Sequence, residues 1–244
     1  MRISLVVPMY NESSIIADTA KVLDKYMSEH FGDDYEIIFA DDGSRDGSAS
    51  IVNELGLTNV RVVGYSQNQG KGCAVRCGVL ASNGDVVLFT DADLAYGVDV
   101  IEEAVKILEK GEYPVLVASR AKHRDGYEGY TPIRKLASKT YIKVLNLFGG
   151  IKISDAQCGF KGFKGDIARE IFSLCQTNNF AFDLEVILWA QKMKHKIYEM
   201  PAKIINHRES KVNVLKDAVR MSKEIFVIKR NIRKKVAKIR LFSD

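Results

Sequence analysis

The chain is poor in cysteine, proline, histidine and tryptophan: four, four, four and one among 244 residues. Four cysteines, at 73, 77, 158 and 175, do not make a disulfide scaffold and match no strong zinc spacing. Free thiols fit a reducing cytoplasm. Cys73 and Cys77 stand four apart at an expected helix start and read as two small buried residues. No apolar run reaches the roughly 18 residues of a membrane span. The opening MRISLVVPMYNE lacks the long apolar stretch of a secretory signal; its short run stops at Pro8 and reads as a strand. With 46% hydrophobic and 27% charged residues, the chain is a folded unit and not a disordered or collagen-like one. Folding at this length buries roughly 70–75% of the unfolded surface, enough for one large domain.

What is present is alternation. Strands are predicted over 3–7, 35–40, 60–65, 85–90 and 115–119, with helices over 13–30, 46–55, 70–81 and 98–110. That rhythm predicts an α/β fold with a mostly parallel central sheet flanked by helices. Beyond it, helices are expected over 133–147, 166–174, 182–192 and 214–241, and an edge strand within 197–205, where Pro201 stands. The expected organisation is a domain over 1–212, with a ligand-binding half (1–120) and an acceptor half (121–212), then a basic helical tail over 213–244.

In such sheets ligands bind outside the carboxyl ends of the strands. Asn11-Glu12, Asp41-Asp42, Asp91/Asp93 and Ser119-Arg120 all fall at those ends. Asp91 and Asp93, two apart after a buried strand, point to one side and can share a hard divalent cation, Mg²⁺ or Mn²⁺. Asp41-Asp42-Gly43-Ser44 is either a turn before a helix or a hydrogen-bonding site for a base, a ribose or metal-bound water. Asn68-Gln69-Gly70-Lys71-Gly72 precedes a helix, so backbone can approach an anion there and Lys71 adds charge. The Walker A pattern is absent, and no G-x-G-x-x-G follows the first strand.

The ordered set VVPMYNE, FADDGSRDG, NQGKGCAV and FTDADL resembles the nucleotide-sugar-binding half of family 2 inverting glycosyltransferases, which have a single-domain glycosyltransferase A-type fold. SR at 119–120, DAQCGFK at 155–161, FDLE at 182–185 and ESK at 209–211 resemble the polyprenyl-phosphate sugar transferases, most closely the dolichyl-phosphate β-glucosyltransferases and next the mannose synthases. The resemblance implies that Pro8, Tyr10, Asn11 and Glu12 surround base and ribose, that Asp41 meets the base, and that Asp42 lies near ribose or diphosphate. It implies Lys71 near the nucleotide, Asp91 and Asp93 at metal and diphosphate, and Gln157 facing sugar or acceptor. A UDP-sugar is the implied donor, favoured over a GDP-sugar, with glucose the favoured sugar. Ala95 stands where the mannose synthases usually carry Gln.

The nature of the nucleophile divides the remaining readings. A sugar hydroxyl needs a general base, for which Asp183 and Glu185 are candidates beside Asp93 and Gln157 in the catalytic set. A phosphate monoester needs none; Arg120, Arg134, Lys135 and Arg208 would hold it. From Arg220 to Arg240 nine basic residues face one acid, Glu224, while Ile225, Ile228, Ile232, Val236 and Ile239 recur at helical spacing. That pattern suits a peripheral position on the inner face of an anionic membrane, or a helix whose apolar side packs on the domain. No aromatic pattern for base stacking accompanies the charge, so nucleic acid is not an expected partner. A non-catalytic binding or signalling α/β module is the reading from another class.

Overall fold

The computed structural model describes residues 1–128, 150–206 and 214–241, and the side chains of its last helix over 224–238. The predicted helix over 133–147 and the candidates Arg134, Lys135 and Arg208 lie outside the described residues. Seven strands form one sheet: β1 (Ile3–Met9), β2 (Tyr35–Asp41), β3 (Val60–Gly64), β4 (Val86–Phe89), β5 (Val115–Ser119), β6 (Lys161–Lys164) and β7 (Ile197–Pro201). Their spatial order is β3-β2-β1-β4-β6-β5-β7. All pairs are parallel except those of β6, which runs against both β4 and β5. The helices are α1 (Ile16–Phe31), α2 (Ser48–Glu54), α3 (Lys71–Leu80), α4 (Asp99–Glu109), α5 (Gly165–Leu174), α6 (Phe182–Lys192) and α7 (Val214–Leu241).

The central strand β1 is buried at all seven positions, as a strand covered on both faces must be. Its alternate residues serve two cores. Leu5 and Val7 pack with α1, α2 and α4 on one face. Val6 packs with α3, α5 and α6 on the other, together with Phe89, Phe163, Phe172 and Phe182. α4 shows the helical rule plainly: Ile101, Ala104, Val105 and Leu108 form its buried stripe, with Asp99 and Glu102 in the first turn and Lys106 in the last. α6 is different, because nearly its whole circumference is buried, including Asp183 and Glu185.

Of the two readings of the tail helix, packing on the domain is the one seen for its apolar side: Ile225, Ile228 and Ile232 of α7 are buried in the same core as α6, with Val236 beside them. Each such side chain contributes roughly 2 kcal/mol of burial, so this stripe belongs to the domain and not to a membrane. Strand β6 was not expected. It inserts antiparallel between β4 and β5, and its first residue, Lys161, is fully buried.

At the amino-terminal edge of the sheet a polar network is closed on itself. Glu36 accepts from Ser4 Oγ (2.6 Å), Asn83 N (2.8 Å) and the Arg61 guanidinium (3.1 and 3.2 Å). Ser4 Oγ in turn accepts from Gly84 N at 2.8 Å. Burial raises the Glu36 carboxyl, but the Ser4, Asn83 and Arg61 donors outweigh it and hold the group below its ordinary range.

Candidate active site

At the opposite, carboxyl edge the strand ends open onto a cavity of about 470 Å³. Pro8, Tyr10 and Glu12 line it from β1 and its loop, Asp42 and Asn68 from behind β2 and β3, Lys71 from α3, and Asp91 and Asp93 from behind β4. Phe180, 62% exposed, stands at one side. The sequence thus brings seven of its predicted donor-site residues into one concave surface.

The loops that hold them are stitched together. Asn11 has φ 53°, and its Oδ1 accepts from Arg45 N (2.9 Å) while its own N–H donates to Ser44 Oγ (3.0 Å). Glu12 N donates to Ser48 Oγ (2.9 Å) and Ser13 N to Asp46 Oδ2 (2.8 Å). Asp41 Oδ1 accepts from Ser44 N (3.0 Å) and Ser44 Oγ (2.5 Å), closing an Asx turn. Asn11, predicted around base and ribose, and Asp41, predicted at the base, are bonded here to Arg45 and Ser44, and neither is among the residues lining the cavity.

Asp42 is buried and densely bonded. It accepts from Tyr65 Oη (2.6 Å), Asn68 Nδ2 (2.9 Å), Gln69 N (2.8 Å) and Gly70 N (3.0 Å). It thereby pins the loop that starts α3 and places Lys71. Burial and the bond to Asp42 push the Tyr65 phenol far above its usual range. Gly72 is needed beside it, because a Cβ there would meet Thr177 O at 2.5 Å.

The D-x-D turn is clamped from several sides. Thr19 Oγ1 donates to Ala92 O (2.7 Å), Asn206 Nδ2 to Leu94 O (3.0 Å) and Ile205 N to Ala95 O (2.8 Å). Leu94 sits at φ 48°, a left-handed conformation that costs a non-glycine residue about 1–2 kcal/mol and persists here under those clamps. Asp93 Oδ1 accepts from Ala95 N at 3.1 Å. Asp91 Oδ1 accepts from Lys71 Nζ. Its Oδ2 lies against Gly159, where a Cβ would come within 2.1 Å. Burial opposes the Lys71 ammonium, yet Asp91, Asp183 and Asp93 together raise it above its ordinary value.

These residues fit a divalent cation of the Mg²⁺ or Mn²⁺ type. Two carboxylates of one turn supply hard oxygen donors. Among the described residues no group of three His, Cys, Asp or Glu side chains is close enough to hold a metal. A cation here would be completed by water and phosphate oxygens, which is the habit of Mg²⁺ and Mn²⁺.

The acceptor-side candidates look otherwise. Asp183 accepts from Lys161 Nζ at 2.5 Å, and both side chains are nearly sealed from solvent. Lys161 also donates to Cys158 O (2.8 Å) and lies over the Phe89 ring. Burial raises the Asp183 carboxyl, and the Lys161 and Lys71 ammoniums offset that in part. Glu185 Oε2 accepts from Gln176 N (2.9 Å) and Thr177 N (2.7 Å), so it fixes the loop before α6. Arg120 forms a two-pronged pair with buried Asp155, Nε to Oδ2 at 2.6 Å and Nη2 to Oδ1 at 2.9 Å. That pair fixes the guanidinium at the end of β5. Gln157 is half-buried and is not among the cavity's lining residues.

Lys161, Gly159 and Phe180 were not singled out from sequence. The first two stand inside the CGFK run; a lysine within an apolar stretch was the available signal. Phe180 carried none, since its position depends on a loop clamped to α3 through Asn178 O, which accepts from Gly72 N (2.7 Å).

The sequence profile of the family described as glycosyl transferase family 2 matches residues 4–172. A dolichyl-phosphate beta-glucosyltransferase of Trichomonas vaginalis is 33% identical over 223 residues, 86% of this chain and 66% of that protein. One from Dictyostelium discoideum is 30% identical over 249 residues, 93% of this chain and 73% of its own. The chain thus spans about two thirds to three quarters of these curated relatives. Glucosyl-3-phosphoglycerate synthase from Mycobacterium tuberculosis, solved with Mn²⁺, UDP and glucosyl-3-phosphoglycerate, superposes with a TM-score of 0.66 at 19% identity, covering 93% of this chain and 78% of that one. At that identity the likeness is one of fold.

Proposed function

The chain belongs to glycosyl transferase family 2, and from that premise we propose that it moves glucose from UDP-glucose to a polyprenyl phosphate. The names of the relatives supply the donor sugar and the lipid class. The observation that carries the choice of acceptor is the state of Asp183 and Glu185. One is locked to a buried ammonium and the other to two backbone N–H groups. Neither carboxylate is disposed to take a proton from a sugar hydroxyl. A nucleophile that arrives already ionised, as a phosphate monoester does, makes that proton transfer unnecessary.

In this reading Pro8, Tyr10 and Glu12 hold the uridine side, and Asp42 shapes the loop beneath it. The diphosphate lies over Asp91 and Asp93 beside Lys71. Asp91 and Asp93 would hold a Mg²⁺ or Mn²⁺ ion, which would supply positive charge against the leaving UDP. The acceptor phosphate oxygen attacks the anomeric carbon from the face opposite UDP. The new C–O bond forms as the bond to UDP breaks, so configuration inverts and UDP leaves as an anion. Lys71 adds positive charge next to that anion.

The proposed place of action is peripheral, on the cytoplasmic face of a membrane. Arg230, Arg233, Lys234 and Lys238 are exposed on α7, with Phe226 and Val227 exposed on the same helix at 61% and 56%. Such a face suits contact with anionic headgroups rather than insertion, since the isoleucine stripe is spent on the core.

The test is transfer itself. With UDP-glucose and Mn²⁺, UDP release should require a polyprenyl phosphate, and neither the matching polyprenol nor a saccharide should replace it. Equal release with a saccharide and none with the lipid phosphate would overturn the acceptor reading while leaving the donor site intact.

A further inference from the structure

Lys71 and Asp91 form an ion pair on the floor of the cavity, with side-chain exposures of 21% and 30%. Lys71 is the first residue of α3 and is placed by the loop that Asp42 grips. Asp91 has the ammonium on Oδ1 and Gly159 against Oδ2. Asp91 is also half of the pair that fits a divalent cation. A cation that takes Oδ1 must displace Lys71 or accept a like charge at contact distance, and like charges so placed repel strongly.

We propose that Lys71 is the internal counter-ion of the metal site, neutralising Asp91 until a nucleoside diphosphate arrives with the divalent cation, and then passing to the diphosphate. A diphosphate brings the negative charge that lets both cations stay in one pocket. Metal and nucleotide therefore help each other to bind, and Lys71 is the element through which they do so. Linkage requires the help to be equal in both directions. The inference deepens the donor reading above and rests on it.

The experiment measures Mn²⁺ affinity of the full chain by electron paramagnetic resonance, with and without UDP, after subtraction of the UDP–Mn²⁺ complex formed in solution. In the wild type Mn²⁺ alone should bind weakly, and saturating UDP should tighten it about tenfold or more. In Lys71→Met the affinity for Mn²⁺ alone should rise about tenfold, because Asp91 no longer carries a competing cation, and the effect of UDP should shrink to about threefold or less. Lys71→Gln, which keeps a polar head without the charge, should behave like the methionine variant and replaces it if that one folds poorly. Wild-type-like or weaker Mn²⁺ binding in the folded variants, with the full response to UDP, overturns the inference alone. No Mn²⁺ binding by the wild type even with UDP overturns the metal reading and the inference with it.

Discussion

The two edges of one sheet treat buried charge in opposite ways. At the amino edge, Glu36 meets Ser4, Asn83 N and Arg61, and the network closes on itself. At the carboxyl edge, Asp91 meets a lysine on one oxygen and bare backbone on the other, at the floor of a 470 Å³ cavity. The first arrangement holds strands together. The second leaves a charge whose present partner can be exchanged for another cation. Glu36 is held below its ordinary range, whereas burial raises Asp183 in its core pair with Lys161. A site that must receive a charged ligand keeps its own charges incompletely compensated, and a structural network does not.

Substitutions can break or sharpen this contrast. The largest effect is expected at Lys161. Lys161→Met strands Asp183 without its partner in the core and should cost about 3–5 kcal/mol in chemical denaturation. Asp91→Ala should lower kcat/KM for transfer by a factor on the order of 10²–10³, with little change in melting temperature. Glu36→Gln is the counterpart at the other edge: stability should fall by about 1–3 kcal/mol while the folded protein turns over normally. Gly159→Ala forces a methyl group into the Asp91 carboxylate and should reduce transfer about tenfold, through displaced metal binding that Mn²⁺ titration would register.

The smallest effect is in pH dependence, and its sign differs between the edges. The Glu36 carboxyl is lower in the folded chain than in the unfolded one, so its contribution is present above the unfolded value of about 4.3 and is lost as pH falls through the folded value. The raised Asp183 carboxyl works the other way: stability declines as pH rises from its unfolded value through its folded one. Denaturation midpoints across acidic pH, compared between the wild type and Glu36→Gln, should show a flatter acid limb in the variant.

Much of the donor side was legible because its signals are local. Strands β1, β2 and β4 are short apolar runs, and their polar ends gather where parallel strands finish together, so Glu12, Asp42, Lys71, Asp91 and Asp93 line one cavity. The acceptor side depends on long-range pairing. Arg120 reads as a cation for an acceptor phosphate, and nothing in the sequence announces that Asp155, 35 residues on, is brought against it. Strand β6 has four residues, two of them lysine, and forms a buried strand because Asp183 receives Lys161 from a helix 22 residues away. The isoleucine stripe of α7 was legible as a stripe, but its partner was not. Periodicity reports that a face is apolar and leaves open whether α6 or a lipid surface covers it.

The contrast between the edges has one direct measurement: Mn²⁺-dependent UDP binding by calorimetry in Asp91→Asn and Glu36→Gln, side by side. The account predicts that binding is lost with Asp91 and kept with Glu36 in the folded protein. Undiminished binding in folded Asp91→Asn would contradict it.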